Sequence, residues 1–123
     1  MPTTVVIGAS PDSSRASFQV VTSLLANKEH VIAVGIKKGI INGQEILLGF
    51  PKIKDVDTVS LYVGPANQAH WEDYILSLKP RRIIFNPGTE NPAFHERAVK
   101  QGIEPLEACT LTMLAVGNYW ISY

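Results

Sequence analysis

The sequence predicts the α/β class, as a three-layer α/β/α domain on a mostly parallel five-stranded sheet, and three observations lead there. Short, largely apolar runs such as TTVVIG (residues 3–8), HVIAVG (30–35) and TVSLYV (58–63) have the length and β-branched content of strands covered on both faces. Segments with helical spacing of their apolar residues lie between most of them. The connections are short, as in α/β units, and strands alternating with helices call for right-handed crossovers between parallel neighbours.

In chain order, the first strand (3–8) stops at Gly8, and from Ser14 the period becomes helical, with Phe18, Val21, Leu24 and Leu25 apolar and the pattern ending near Asn27 and Lys28. A second strand occupies 30–35. Asn42-Gly43, between Ile40-Ile41 and Glu45-Ile46, is a strong turn signal, so residues 38–53 are expected to hold a small hairpin or excursion. The third strand is 58–63. Trp71, Tyr74, Ile75 and Leu78 form one face of a helix over 67–79, which Pro80 stops. RIIF (82–85) is the fourth strand. Asn91-Pro92 pairs a capping residue with a favoured first helical residue, so a helix runs to Gln101 with Gly102 at its end. Residues 103–108 read as a fifth strand and 110–116 as a last short helix. The result is one Rossmann-like domain over residues 1–123, with its ligand crevice beyond the carboxyl ends of the strands, beside the first.

Composition narrows the function classes. Apolar residues make up 46% of the chain and charged residues 18%, and 11 Lys+Arg balance 11 Asp+Glu. A general nucleic-acid or anionic-membrane surface needs a basic excess, so neither partner is expected. The single cysteine, Cys109, excludes an internal disulfide framework. No run approaches the ~18 apolar residues that span a bilayer, and residues 1–9 do not have the pattern of a signal peptide. These features predict a soluble, cytoplasmic protein.

The segment Gly8-Ala9-Ser10-Pro11-Asp12-Ser13 stands where a dinucleotide-binding fold puts its G-x-G-x-x-G turn, with Ser10 and Ser13 in place of the second and third glycines. A glycine after the first strand lets the chain turn sharply, and the free N–H groups of the following helix then face any phosphate set there. The serine hydroxyls and Arg15 are further donors. The same residues also make an ordinary strand-to-helix turn in which Ser13 or Ser14 caps the helix.

The end of the second strand discriminates better. An NAD site wants an acid here for the ribose hydroxyls, whereas the chain offers Val34-Gly35-Ile36-Lys37-Lys38. Two lysines without an acid favour an additional ribose phosphate: the 3′-phosphate of coenzyme A, or less well the 2′-phosphate of NADP.

These stretches, together with the lysine-tailed HVIAV strand, the Asn42-Gly43 excursion, DTVSLYV and ACTLTML, make the chain resemble the small stand-alone CoA-binding domain proteins, themselves similar to the CoA-binding part of the succinyl-CoA synthetase α subunit. The resemblance runs from about residue 3 to 114 and implies a CoA-type nucleotide across the first two strand ends. It places Gly8, Ala9, Ser10 and Arg15 around the diphosphate, Lys37 near the phosphorylated ribose, and Val63 and Gly64 beside the adenine or the pantetheine. The chain departs from the family pattern at Gly35-Ile36, where many relatives carry Asn-Pro, and at FNPGTEN, which replaces a glutamine-bearing segment.

Asn86 and Gly88 follow the fourth strand at the ligand edge, in a turn able to touch a ligand's tail. Cys109 follows the last strand, where it would meet a thiol-bearing ligand, although a free cysteine is more often a small buried apolar group. His30, His70 and His95 lack metal-ligand spacing, and no nucleophile-and-base set emerges. The tail NYWISY (118–123) should fold back on the domain or form a homodimer contact. The function expected is therefore non-catalytic binding of CoA or an acyl-CoA. Two alternatives stand beside it: an enzyme, as an NADP-linked oxidoreductase or a subunit of an acyl-CoA synthetase, and a structural or regulatory subunit that binds no ligand.

Overall fold

A computed structural model describes residues 2–120. The sheet has seven strands rather than five: β1 (Thr3–Ile7), β2 (His30–Gly35), β3 (Ile40–Ile41), β4 (Gln44–Leu48), β5 (Val56–Leu61), β6 (Arg82–Phe85) and β7 (Glu104–Glu107). Their order is β3-β4-β2-β1-β5-β6-β7, and all pairs are parallel except β3 with β4.

The two additional strands come from the expected hairpin. Asn42 (φ 46°) and Gly43 (φ 86°) take the left-handed conformations of a two-residue hairpin turn. What the sequence pattern does not reveal is that the second arm pairs with β2, through Ala33–Ile46, Val34–Leu47 and Gly35–Leu48. Edge strands are short, and pairing with a distant strand leaves no local periodicity to read.

Four helices cover the sheet: α1 (Ala16–Ala26), α2 (Ala69–Ser77), α3 (Pro92–Lys100) and α4 (Thr110–Val116). Alternation along the central strands builds two cores. Val5 and Ile7 of β1 face Trp71 and Ile75 of α2 and Phe94 of α3, whereas Val6 faces the side of Val20, Val21 and Leu24 of α1 and Met113 of α4. The three-layer expectation therefore describes the molecule. None of the described helices is long and apolar enough to cross a membrane.

At the amino ends of the strands the chain's tail is folded in. Arg82 is buried, donating from Nε to Thr58 Oγ1 (2.8 Å) and from a terminal nitrogen to the Tyr119 carbonyl (2.7 Å). Its guanidinium lies 4.7 Å from the centre of the Tyr119 ring and 5.2 Å from that of Trp120. Tyr119 shares a 2.6 Å hydroxyl contact with Thr4, and burial pushes its phenol pKa up. The fold-back expected of the tail thus holds for Tyr119 and Trp120; residues 121–123 of that tail lie outside the described residues.

Candidate functional site

The sheet order reverses at β1, with β2 on one side and β5 on the other. Beyond the carboxyl ends of β1, β2, β4 and β5 opens a cleft of about 890 Å³, inside the usual range for small-molecule sites.

Two close approaches shape its floor. The amides of Gly8 and Ala9 both donate to the Val34 carbonyl, each at 2.9 Å, which fastens the turn after β1 to the end of β2. Gly8 sits at φ 94°, and a Cβ there would lie 2.9 Å from the Tyr62 backbone. At Gly35 a Cβ would lie only 2.3 Å from the Ala9 carbonyl oxygen, so no larger residue fits without moving the turn. This is a physical reason for glycine at this position.

The first wall is cationic and polar. Ser10, Arg15, Ala16 and Ser17 line it. Arg15 occupies the N-cap position of α1 and makes no side-chain cap, so the first-turn N–H groups, which lack intrahelical acceptors, are left for another partner. In α3, by contrast, Asn91 Oδ1 accepts from the Phe94 amide at 3.3 Å. The capping role open to Ser13 and Ser14 is not filled: the Ser14 amide and hydroxyl both donate to Asp12 Oδ1, at 3.0 and 2.7 Å. Those two bonds, then the positive charges of Arg15 and Lys37, hold the exposed Asp12 carboxyl below its usual pKa. Asp12 is thereby tied down as an acceptor within its own turn. Among the described residues, neither Arg15 nor Lys37 is engaged in an ion pair.

The second wall comes from β5 and α2. Tyr62, Val63, Gly64, Asn67, His70 and Trp71 contribute to it. Burial, the largest influence on Tyr62, drives its phenol pKa far upward, so that hydroxyl stays protonated. Gln68 is wholly buried behind this wall; its Nε2 donates to the carbonyls of Val63 (2.8 Å) and Thr89 (2.6 Å) and fixes the path of the chain after β5.

Gly35, Ile36 and Lys37 form the third side, and Leu48, Gly49 and Phe50 after β4 complete it. Nine of the residues singled out in the sequence are therefore brought together: Gly8, Ala9, Ser10, Arg15, Gly35, Ile36, Lys37, Val63 and Gly64.

The other five do not line the cleft. Ser13 and Ser14 belong to the Asp12 turn. Asn86 is fully buried: its Nδ2 donates to Ser60 Oγ (3.0 Å) and the Leu61 carbonyl (2.9 Å), and its Oδ1 accepts from the Thr110 amide (2.9 Å), so it pins β5, β6 and the start of α4 together. Gly88, at φ 93°, turns the following loop, with its amide donating to Glu90 Oε1 at 2.8 Å. Cys109 precedes α4, where a hydrogen bond from the Thr112 hydroxyl, opposed by burial and aided by the backbone amides of Thr112 and Leu111, lowers its thiol pKa. Among the described residues no group of acids, histidines and cysteine is placed to hold a metal ion.

Residues 2–115 match the family model of the CoA binding domain. The chain belongs to that family.

Other solved proteins carry the same architecture as this CoA binding domain. A crystal structure of an uncharacterized protein is 45% identical, with a TM-score of 0.93 over 96% of this chain and 98% of the other. A protein from Thermus thermophilus, solved as cell-free ID.343, is 21% identical, with a TM-score of 0.82 over 95% and 90% of the two chains. A hypothetical protein from Pyrococcus horikoshii OT3 is 21% identical, with a TM-score of 0.77 over 89% and 78%. The last two likenesses show the fold alone. No curated protein matches the chain.

Leu48, Phe50, Asn67 and Trp71 of this CoA binding domain escape a sequence reading of the site. The strand order alone brings Leu48 and Phe50 beside Gly35. For Trp71 the helical face was legible, but not that its ring reaches the cleft.

Proposed function

We propose that the protein is a non-catalytic module that holds coenzyme A or an acyl-CoA in the cleft through its phosphates. The observation that carries this reading is the pairing of an α1 N-terminus without a side-chain cap with two cations, Arg15 and Lys37, that hold no ion pair among the described residues, in a chain of the CoA binding domain family. First-turn amides and a guanidinium suit the diphosphate. Lys37, at the end of β2, suits the 3′-phosphate on the ribose. The Gly8 and Ala9 amides are taken by Val34, so these residues act by letting the diphosphate come close rather than by donating to it.

Isothermal titration tests the proposal. CoA is expected to bind more tightly than dephospho-CoA, and NAD weakly. Lys37→Ala should bring CoA down to the affinity of dephospho-CoA, about a tenfold loss for one charged hydrogen-bonding partner. Equal affinity of the unaltered protein for CoA and dephospho-CoA would remove the role given to Lys37.

A further inference from the structure

Asp12 is the one carboxylate in the turn between β1 and α1, and its backbone and side chain are both spent inside that turn. Its amide donates to Ser10 Oγ at 3.1 Å, its carbonyl accepts from the Arg15 amide at 3.0 Å, and its Oδ1 accepts from the amide and the hydroxyl of Ser14. Ser10 and Arg15 line the cleft, so Asp12 stands one hydrogen bond from each of two wall residues without lining the cleft itself. A side-chain oxygen that closes on the amide two residues ahead fixes the course of the chain. Here that course leads directly to Arg15, the N-cap of α1. The closed turn thereby sets where the guanidinium and the first-turn amides begin.

The same carboxylate carries a charge of the wrong sign for a phosphate site. It is exposed and forms no ion pair among the described residues, yet the positive charges of Arg15 and Lys37 both act on it. Those three charges partly offset one another. A phosphorylated ligand attracted by the two cations meets a fixed negative charge on the same rim, and the repulsion grows with the number of charges on the ligand. Turn geometry alone does not call for that charge. An asparagine oxygen would serve equally well as the acceptor for Ser14.

We propose that Asp12 has two opposed roles at the phosphate end of the cleft: its hydrogen bonds position Ser10 and Arg15, and its charge holds down the affinity for the most highly phosphorylated ligands. This rests on the reading of the cleft as a CoA site and adds to it a residue that keeps binding readily reversible.

Titration of CoA and dephospho-CoA into the unaltered protein, Asp12→Asn and Asp12→Ala separates the two roles. At low salt Asp12→Asn should bind CoA about threefold more tightly than the unaltered protein, through removal of one exposed charge near the ligand's phosphates. The gain should be smaller for dephospho-CoA, which lacks the 3′-phosphate, and should shrink as salt is raised from about 0.05 M to about 0.5 M. Asp12→Ala removes the same charge and also the acceptor of Ser14, so it should bind CoA about fivefold more weakly than Asp12→Asn. Asp12 is exposed and belongs to neither core, so both variants should keep the melting temperature of the unaltered protein, and affinities are read on folded chains. Equal or weaker binding of CoA by Asp12→Asn, or a gain that does not respond to salt, would overturn the role of the charge. Equal affinities of the two variants would overturn the positioning role. Either result leaves CoA bound and the cleft reading intact, whereas failure of the unaltered protein to bind CoA would overturn that reading and both roles with it.

Discussion

At the amino ends of the strands Arg82 is 2% exposed, with Thr58, the Tyr119 carbonyl and two aromatic rings around it, and Asp57 pairs with Arg81 at 2.9 Å. At the carboxyl ends, Arg15 and Lys37 stand exposed beside open apolar side chains, without an ion pair among the described residues. A buried guanidinium is tolerable only with acceptors and ring faces supplied to it. An exposed one free of carboxylate partners contributes little to stability and is available for an anion. One end of the sheet thus uses its cations to hold the chain together, whereas the other leaves them outside any ion pair among the described residues, as the proposed function requires. Substitutions at the two ends should separate stability from binding.

The largest effect is expected from Arg82→Ala. It leaves the Thr58 hydroxyl and the Tyr119 carbonyl without their donor and a void under two rings, at a cost of about 3 kcal/mol in chemical denaturation. CoA affinity measured on the folded fraction should not change; a loss there would break the separation of the two ends. Gly35→Ala comes next and cuts across the comparison, because the added methyl meets the Ala9 carbonyl. It should cost about 2 kcal/mol by overpacking and also weaken CoA, since the turn carrying Ser10 and Arg15 must shift. Arg15→Ala should leave the melting temperature where it is and lower CoA affinity about tenfold. A fall in melting temperature as large as that of Arg82→Ala would refute a ligand-only role.

The smallest effect belongs to Asp57. Burial pushes its pKa up, but the hydrogen bonds from Arg81 and Thr58 outweigh burial, and the net direction is below 3.8. A carboxyl lowered in the folded state contributes stability above the unfolded value, and that contribution fades as pH falls through the folded one. With the Arg81 side chain 47% exposed, solvent screening keeps the pair to about 0.5 kcal/mol. Asp57→Asn should lose that amount at pH 7, and the difference from the unaltered protein should vanish in melts run well below pH 3.8.

The core of the fold was legible because covered strands and amphipathic helices leave local patterns. The TTVVI and RIIF runs, the Asn42-Gly43 turn, and the Asn91-Pro92 helix start all appear where the sequence puts them. The edges were not. The third expected strand begins two residues earlier, at Val56, and ends at Leu61, which frees Tyr62 and Val63 to wall the cleft. At the site, Gly8, Arg15 and Lys37 were readable because turns and charges have residue-level signatures. Asn86 looked available because a polar residue after a strand resembles a ligand contact; its side chain is instead consumed by four backbone and hydroxyl partners. Phe50 gave no signal, since its position follows from which strand β4 chose as neighbour.

The shared Val34 carbonyl and the contact of Gly35 with Ala9 make the β1 turn and the β2 end mechanically one part. Pro11 packs as tightly over Gly39, where a Cβ would lie 2.5 Å away. Under the proposed function, the two phosphate contacts assigned to these loops therefore cannot be retuned independently of each other. A descendant shifting its preference to a different ribose would have to remodel both loops in step, and single changes along that route should lower affinity before raising it.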